Sequence, residues 1–210
     1  LGLRNLTILE KGLKYVKDLR HVEIDISSIP LTEKKVYEMI SKGETTGVFQ
    51  LESSGMRRLA RNLKPSKFSD LAAMIALFRP GPMDWIDDFV AAKQTPSRIK
   101  YPHPDLKPIL AETYGIAIYQ EQCLQMANIF AGYSLGEADI LRLAIGKKKK
   151  EIMEKEKVKF LERAKSRGYS KESAEKVFAL IEKFAGYGFN KSHSTSYALI
   201  AYQTAWMKVN

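Results

Sequence analysis

The 210-residue chain contains one cysteine, Cys123, three histidines, and no apolar run longer than the eight residues from Leu71 to Phe78. A lone thiol forms no internal disulfide, and no second Cys or His stands at zinc-ligand spacing from it. Cys123 is therefore expected to be a core thiol on an apolar helical face. A bilayer-spanning helix needs roughly 20 apolar residues, so none is expected, and no signal-peptide pattern opens the chain. A cytoplasmic setting with no membrane partner follows as the expectation. A Walker-type phosphate loop, a nucleophile elbow and a zinc-protease helix are also missing. The adjacent carboxylates Asp87 and Asp88 would point about 100° apart on a helix and are expected to be solvated rather than to share metal ions.

Acid is scarce relative to base. Against 34 Lys and Arg stand 24 Asp and Glu, a net charge of +10 with a pI near 9.5. Such a balance points to a polyanionic partner, nucleic acid or nucleotide phosphates, with an anionic membrane the weaker option. The 45% hydrophobic content suffices for a real core, and the length suits one large domain with an appendage. The sequence opens at Leu1 without a methionine and closes at Asn210 after the apolar-rich stretch 197–209. Both ends are expected to be boundaries inside a larger protein.

The spacing of apolar residues predicts a mainly α chain with irregular multi-helix architecture. Residues 1–30, broken by Gly2, Gly12 and Pro30, read as connecting structure. Thr32 is positioned to cap a helix holding Val36, Met39 and Ile40 that Gly43 ends in left-handed conformation. Residues 47–51 form a short strand-like segment. Ser53 or Ser54 then caps a two-faced helix, with Met56, Leu59 and Leu63 inward, Arg57, Arg61 and Lys64 outward, and Pro65 stopping it. Asp70 opens an apolar helix that ends before the rigid corner Arg79-Pro80-Gly81-Pro82. Four prolines at 96, 102, 104 and 108 mark an extended connection and a subdomain boundary. Beyond it come a helix from Tyr119 to Gly132, a Ser134/Glu137 capping box opening a helix to Gly146, and a charged helix from about 150 to 167. Ala174, Val177, Phe178, Ile181 and Phe184 give the clearest amphipathic pattern, Gly186-Tyr187-Gly188 breaks it, and a last helix starts near Ser192 or Ser194.

The candidate binding residues are cations. Residues 147–167 hold ten Lys or Arg against four Glu, a net +6 of the total. That concentration favours a phosphate-binding surface, while a merely solvated helix face remains open. Arg142, Gly146 and Lys149 are spaced to face one phosphate group, although Arg142 also stands three residues from Asp139 and could simply pair with it. Lys191-Ser192-His193-Ser194 follows a glycine-rich break and precedes a helix, where backbone amides and the helix dipole favour an anion. A structural histidine is the competing possibility at His193. Arg79, fixed by the proline corner, is pre-organised either for a phosphate or for a buried ion pair. From residue chemistry alone the chain is a basic helical phosphate-binding domain.

Taken together, Thr46-Gly-Val-Phe-Gln-Leu-Glu-Ser53, Ala76-Leu-Phe-Arg-Pro-Gly-Pro82, Tyr114-Gly-Ile, Tyr119-Gln-Glu-Gln122, Ile145-Gly-Lys-Lys148 and Lys183-Phe-Ala-Gly-Tyr-Gly-Phe-Asn-Lys-Ser-His-Ser194 resemble the alpha subunits of bacterial DNA polymerase III, the C-family replicative polymerases. The resemblance spans essentially the whole chain. It implies the end of the palm with its connection over residues 1–45, a first part of the fingers over 46–100 and the main helical fingers over 101–210. It also implies a parent DNA-directed DNA polymerase whose incoming dNTP and template-primer DNA are gripped here. The other implied partners are the rest of the polymerase chain and replisome subunits. The Mg2+ ions and catalytic carboxylates would lie in the palm outside this segment, so the segment alone is expected to be inactive. Position by position, the resemblance puts triphosphate contacts on Arg142 and His193, with Asn190 and Lys191 nearby and Arg79 next in rank. From residue chemistry, DNA or phosphate contacts are expected at Lys147, Lys148 and Lys149 and, on the basic face of their helix, at Arg57 and Arg61. Many relatives carry a second basic residue after the helix arginine, and Leu143 stands there instead. A non-enzymatic helical nucleic-acid-binding module is the alternative. A free-standing nucleotidyltransferase would need a carboxylate cluster that the sequence does not display.

Overall fold

In a computed structural model, residues 4–146 and 150–210 are described. They form eleven α-helices, and among the described residues there is no sheet. Two compact units divide the chain: one takes it up to Ile75 and adds Ser194–Asn210, the other comprises Ala76–His193.

The first unit holds α1 (Arg4–Arg20), α2 (Lys34–Lys42), α3 (Ser54–Leu63), most of α4 (Phe68–Leu77) and most of α11 (Lys191–Val209). Residues 4–20, within the stretch read as connecting structure, form one long helix, α1. Gly12 is not a break, because a Cβ there would lie 2.7 Å from the Met207 methyl carbon, so glycine permits close helix packing. Val36, Tyr37, Met39 and Ile40 bury one side of α2, and Gly43 ends it at φ 73°. Glu33 rather than Thr32 occupies the N-cap. Ser53 caps α3 by accepting from the Met56 amide at 3.3 Å. Tyr202 of α11 stitches the unit together: its hydroxyl accepts from the Glu33 amide at 3.0 Å and donates to the Pro30 carbonyl at 2.9 Å.

The strand-like expectation for residues 47–51 is also corrected. Consecutive turns occupy that stretch, with Gly47 and Gln50 at positive φ, and the Thr45 hydroxyl bonds back to the Leu51 carbonyl at 2.6 Å. The two positive-φ residues curl the chain, and the apolar Val48, Phe49 and Leu51 are buried without any ladder among the described residues.

The second unit contains α5 (Ile86–Gln94), α6 (Lys107–Leu110), α7 (Gln120–Ala131), α8 (Leu135–Gly146), α9 (Lys150–Ser166) and α10 (Lys171–Ala185). Its core joins Met126, Phe130, Tyr133 and Phe160 with all five apolar positions of the α10 stripe. The capping box forms as the sequence predicts: the Ser134 amide donates to Glu137 at 3.0 Å and the Glu137 amide to the Ser134 hydroxyl at 3.2 Å. Gly132 closes α7 at φ 62°. These packed helices hold fixed two helix N-termini, those of α7 and α11, from which the candidate site is built.

Candidate functional site

The starts of α7 and α11 meet through a single bridge between Tyr119 and Phe189. The Gln120 amide donates to the Phe189 carbonyl at 2.9 Å, and the Phe189 amide to the Ile118 carbonyl at 3.0 Å. Gln122 secures this junction from beneath. Its buried side-chain oxygen accepts from the Ile118 and Tyr119 amides, and its nitrogen donates to the Thr113 hydroxyl at 2.8 Å and the Ile109 carbonyl. Glu121, one residue earlier, turns to α11: its carboxylate accepts from the Lys191 amide at 3.0 and 3.1 Å and from the Asn190 side chain at 3.1 Å. The side-chain oxygen of Asn190 in turn accepts from the His193 amide at 2.8 Å, capping α11. An anion at the helix N-terminus is the arrangement the helix dipole favours, and the protein's own carboxylate supplies it. The Lys191 ammonium pairs with Glu112, and His193 is exposed with its ring 5.4 Å from that of Phe189.

The Arg79 corner packs against this turn. Its Nε donates to the Ala76 carbonyl at 3.0 Å, its Nη2 donates to the Tyr187 carbonyl, and its guanidinium lies 4.7 Å from the Phe189 ring centre. Partial burial lowers its pKa from the ordinary guanidinium value. Gly81 sits at φ 97° directly under the Tyr187 ring, where a Cβ would approach ring carbons to 2.7 Å. Arg79, more than a hundred residues away in sequence, is thus brought to the turn that carries Asn190, Lys191 and His193.

Arg142 of α8 makes the local pair that its sequence allows, Nε to Asp139 Oδ1 at 2.8 Å. It also acts on Cys123, whose thiol burial pushes up to about 12; Glu121 adds to the rise and Arg142 opposes it. Lys147, Lys148 and Lys149 lie outside the described residues. On α9, Lys159 and Arg163 reach Glu137 at 3.3 and 2.9 Å, and both lie over the Tyr133 ring. These partners, with the Ser134 amide, hold the Glu137 carboxyl down to about 2.

In the other unit Arg57 donates to the Thr46 hydroxyl at 2.8 Å, while its buried Nε has no hydrogen-bond partner among the described residues. Arg61 is exposed, and its guanidinium reaches over Gly43 at the end of α2. Asp87 and Asp88 are exposed on the first turn of α5. Among the described residues no three His, Cys, Asp or Glu side chains converge as metal ligands. Sequence reasoning missed Glu121 and Phe189, which organise the turn. Glu121 falls within the Tyr-Gln-Glu-Gln run, yet nothing local shows that it serves a helix 70 residues away.

Residues 5–168 match the family described as the bacterial DNA polymerase III alpha subunit finger domain. The chain is 50% identical over all 210 residues to the DNA polymerase III subunit alpha of Halalkalibacterium halodurans and to that of Caulobacter vibrioides. It is 48% identical, again over its whole length, to the DNA polymerase III subunit alpha of Borreliella burgdorferi. It covers 19%, 18% and 18% of those proteins, so it spans about a fifth of the curated relatives it matches.

Proposed function

The chain belongs to the finger-domain family of bacterial DNA polymerase III alpha subunits, and from that premise we propose that it grips the incoming dNTP and the template-primer during DNA-directed DNA synthesis. The observation that carries this reading is the assembly of Asn190, Lys191 and His193 on one turn, fixed by Glu121 and braced by Arg79. The Lys191 and His193 amides are occupied, so a triphosphate is held by side chains, with exposed His193 and the Arg142 guanidinium on the β and γ phosphates. Cations placed there offset the charge that develops as pyrophosphate departs. The lysines at 147–149 and the Arg57 and Arg61 pair take backbone phosphates of the DNA. Carboxylates and Mg2+ elsewhere in the parent polymerase carry the transfer chemistry, so this chain alone incorporates no nucleotide. The remaining partners are the rest of the polymerase and the replisome, in the cytoplasm. No described helix is long and apolar enough to cross a membrane.

The test is dNTP and primer-template binding across a salt series, for the unaltered chain, Arg142→Ala and His193→Ala. Loss of roughly tenfold in dNTP affinity for each substitution, with the fold intact, is expected. DNA binding with a steep salt slope, no preference for triphosphates and indifference to both substitutions would instead mark a non-enzymatic nucleic-acid-binding module.

A further inference from the structure

Arg79 was expected from sequence to be either a phosphate ligand or half of a buried ion pair, and its surroundings describe something else. Among the described residues the guanidinium makes no ion pair with a carboxylate. One donor closes onto the Ala76 carbonyl in the last turn of α4, where helical carbonyls lack intrahelical partners and a cation is favoured. Another donor takes the Tyr187 carbonyl, and the planar face rests on the Phe189 ring. That ring packs in turn against His193. We propose that Arg79 is a positioning residue: it fixes the 187–193 turn by tying the Tyr187 carbonyl and the Phe189 ring to the end of α4, and it does not itself bind phosphate. Its importance for nucleotide binding rests on the function proposed above; the clamp itself does not.

The chemistry explains why arginine stands here. Two carbonyls approached from different directions and an aromatic face need a planar fork with several donors, which an ammonium on a flexible stem cannot reproduce. The neighbours serve the same end. Gly81, two residues on, lets the Tyr187 ring close down on the corner, and Gly188 brings the turn against Gln120, where a Cβ would sit 3.0 to 3.2 Å from that residue. The turn is therefore held from one side by the Arg79-Pro-Gly-Pro corner and from the other by the start of α7. Without the corner, the Phe189 ring loses the guanidinium face it rests on.

Hydrogen exchange on the ligand-free, full-length polymerase containing these residues tests the clamp without using activity. Arg79→Lys and Arg79→Met are both expected to speed exchange in the peptide covering 187–193 by at least about tenfold, with α7 and α10 peptides unchanged. If Arg79→Met loosens the whole unit, Arg79→Lys decides, because it keeps the charge and loses only the fork. Exchange at 187–193 in Arg79→Lys equal to that of the unaltered protein would overturn the proposal and return Arg79 to direct phosphate contact. Steady-state kinetics then reads the consequence: KM for dNTP rises about tenfold in both variants while kcat stays within about twofold. Loosened exchange with an unchanged KM would uphold the clamp and remove the 187–193 turn from the proposed nucleotide site.

Discussion

Two basic regions of the second unit use their charge in opposite ways. Around the 187–193 turn the cations are committed: Arg79 to two carbonyls and a ring, Lys191 to Glu112 and the face of Tyr119. On α9 Lys159 and Arg163 are drawn together by Glu137, while Lys155 and Lys165 stand exposed on the same helix. The first arrangement defines positions to within a hydrogen bond. The second supplies a field, tolerant of where a phosphate backbone passes. Net charge counted along the sequence puts weight on the second and says nothing about the first.

The comparison breaks most sharply at Gly81. Its left-handed conformation and the Tyr187 ring above it leave no room for a side chain, so Gly81→Ala should destabilise the unit by about 3 kcal/mol. Urea denaturation measures this, and an unchanged midpoint would mean that the corner does not clamp the turn. Next in size is Glu121→Ala, which strips the carboxylate from the Lys191 amide and the Asn190 side chain. About 2 kcal/mol should be lost, with faster exchange confined to the first turn of α11.

In the α9 region the corresponding effect is one of pH. The Glu137 carboxyl is lowered from 4.5 to about 2 by Arg163, the Ser134 amide and Lys159. A depressed acid stabilises the fold at pH values above its unfolded value, and that contribution fades as pH falls from about 4.5 through about 2. The unfolding midpoint of Glu137→Gln should accordingly vary less over that interval than that of the unaltered chain. The smallest change in stability belongs to Lys155→Glu, within about 0.5 kcal/mol. It should nevertheless weaken DNA binding and reduce the slope of log affinity against log salt. A Lys155→Glu chain that binds DNA as before would deny α9 its role as a field.

Helical elements with strong local signals were legible from sequence. The α10 stripe, the Ser134/Glu137 box and the left-handed glycines at 43 and 132 all encode their conformation within a few residues. Where a contact is made across the chain, the reading failed. Gly12 looked like a break because Met207, which fills the space against it, is nearly two hundred residues away. Val48 to Leu51 looked extended because a short buried apolar run is shared by strands and by tightly turned chain. At the candidate site, the Lys-Ser-His turn stood out by its glycines and its position before a helix. Its partner Glu121 and the real contacts of Arg79 depend on a junction that only the packed α7 creates.

Cys123 illustrates how a mundane feature can become a tool. At 2% exposure, and with its thiol pushed up to about 12, it holds almost no thiolate at neutral pH and should ignore maleimide reagents. Within this segment the protein is therefore already blank for labelling chemistry. A single cysteine introduced at an exposed position such as Lys155 would carry a fluorophore alone, letting the approach of DNA to α9 be watched without first removing a native thiol.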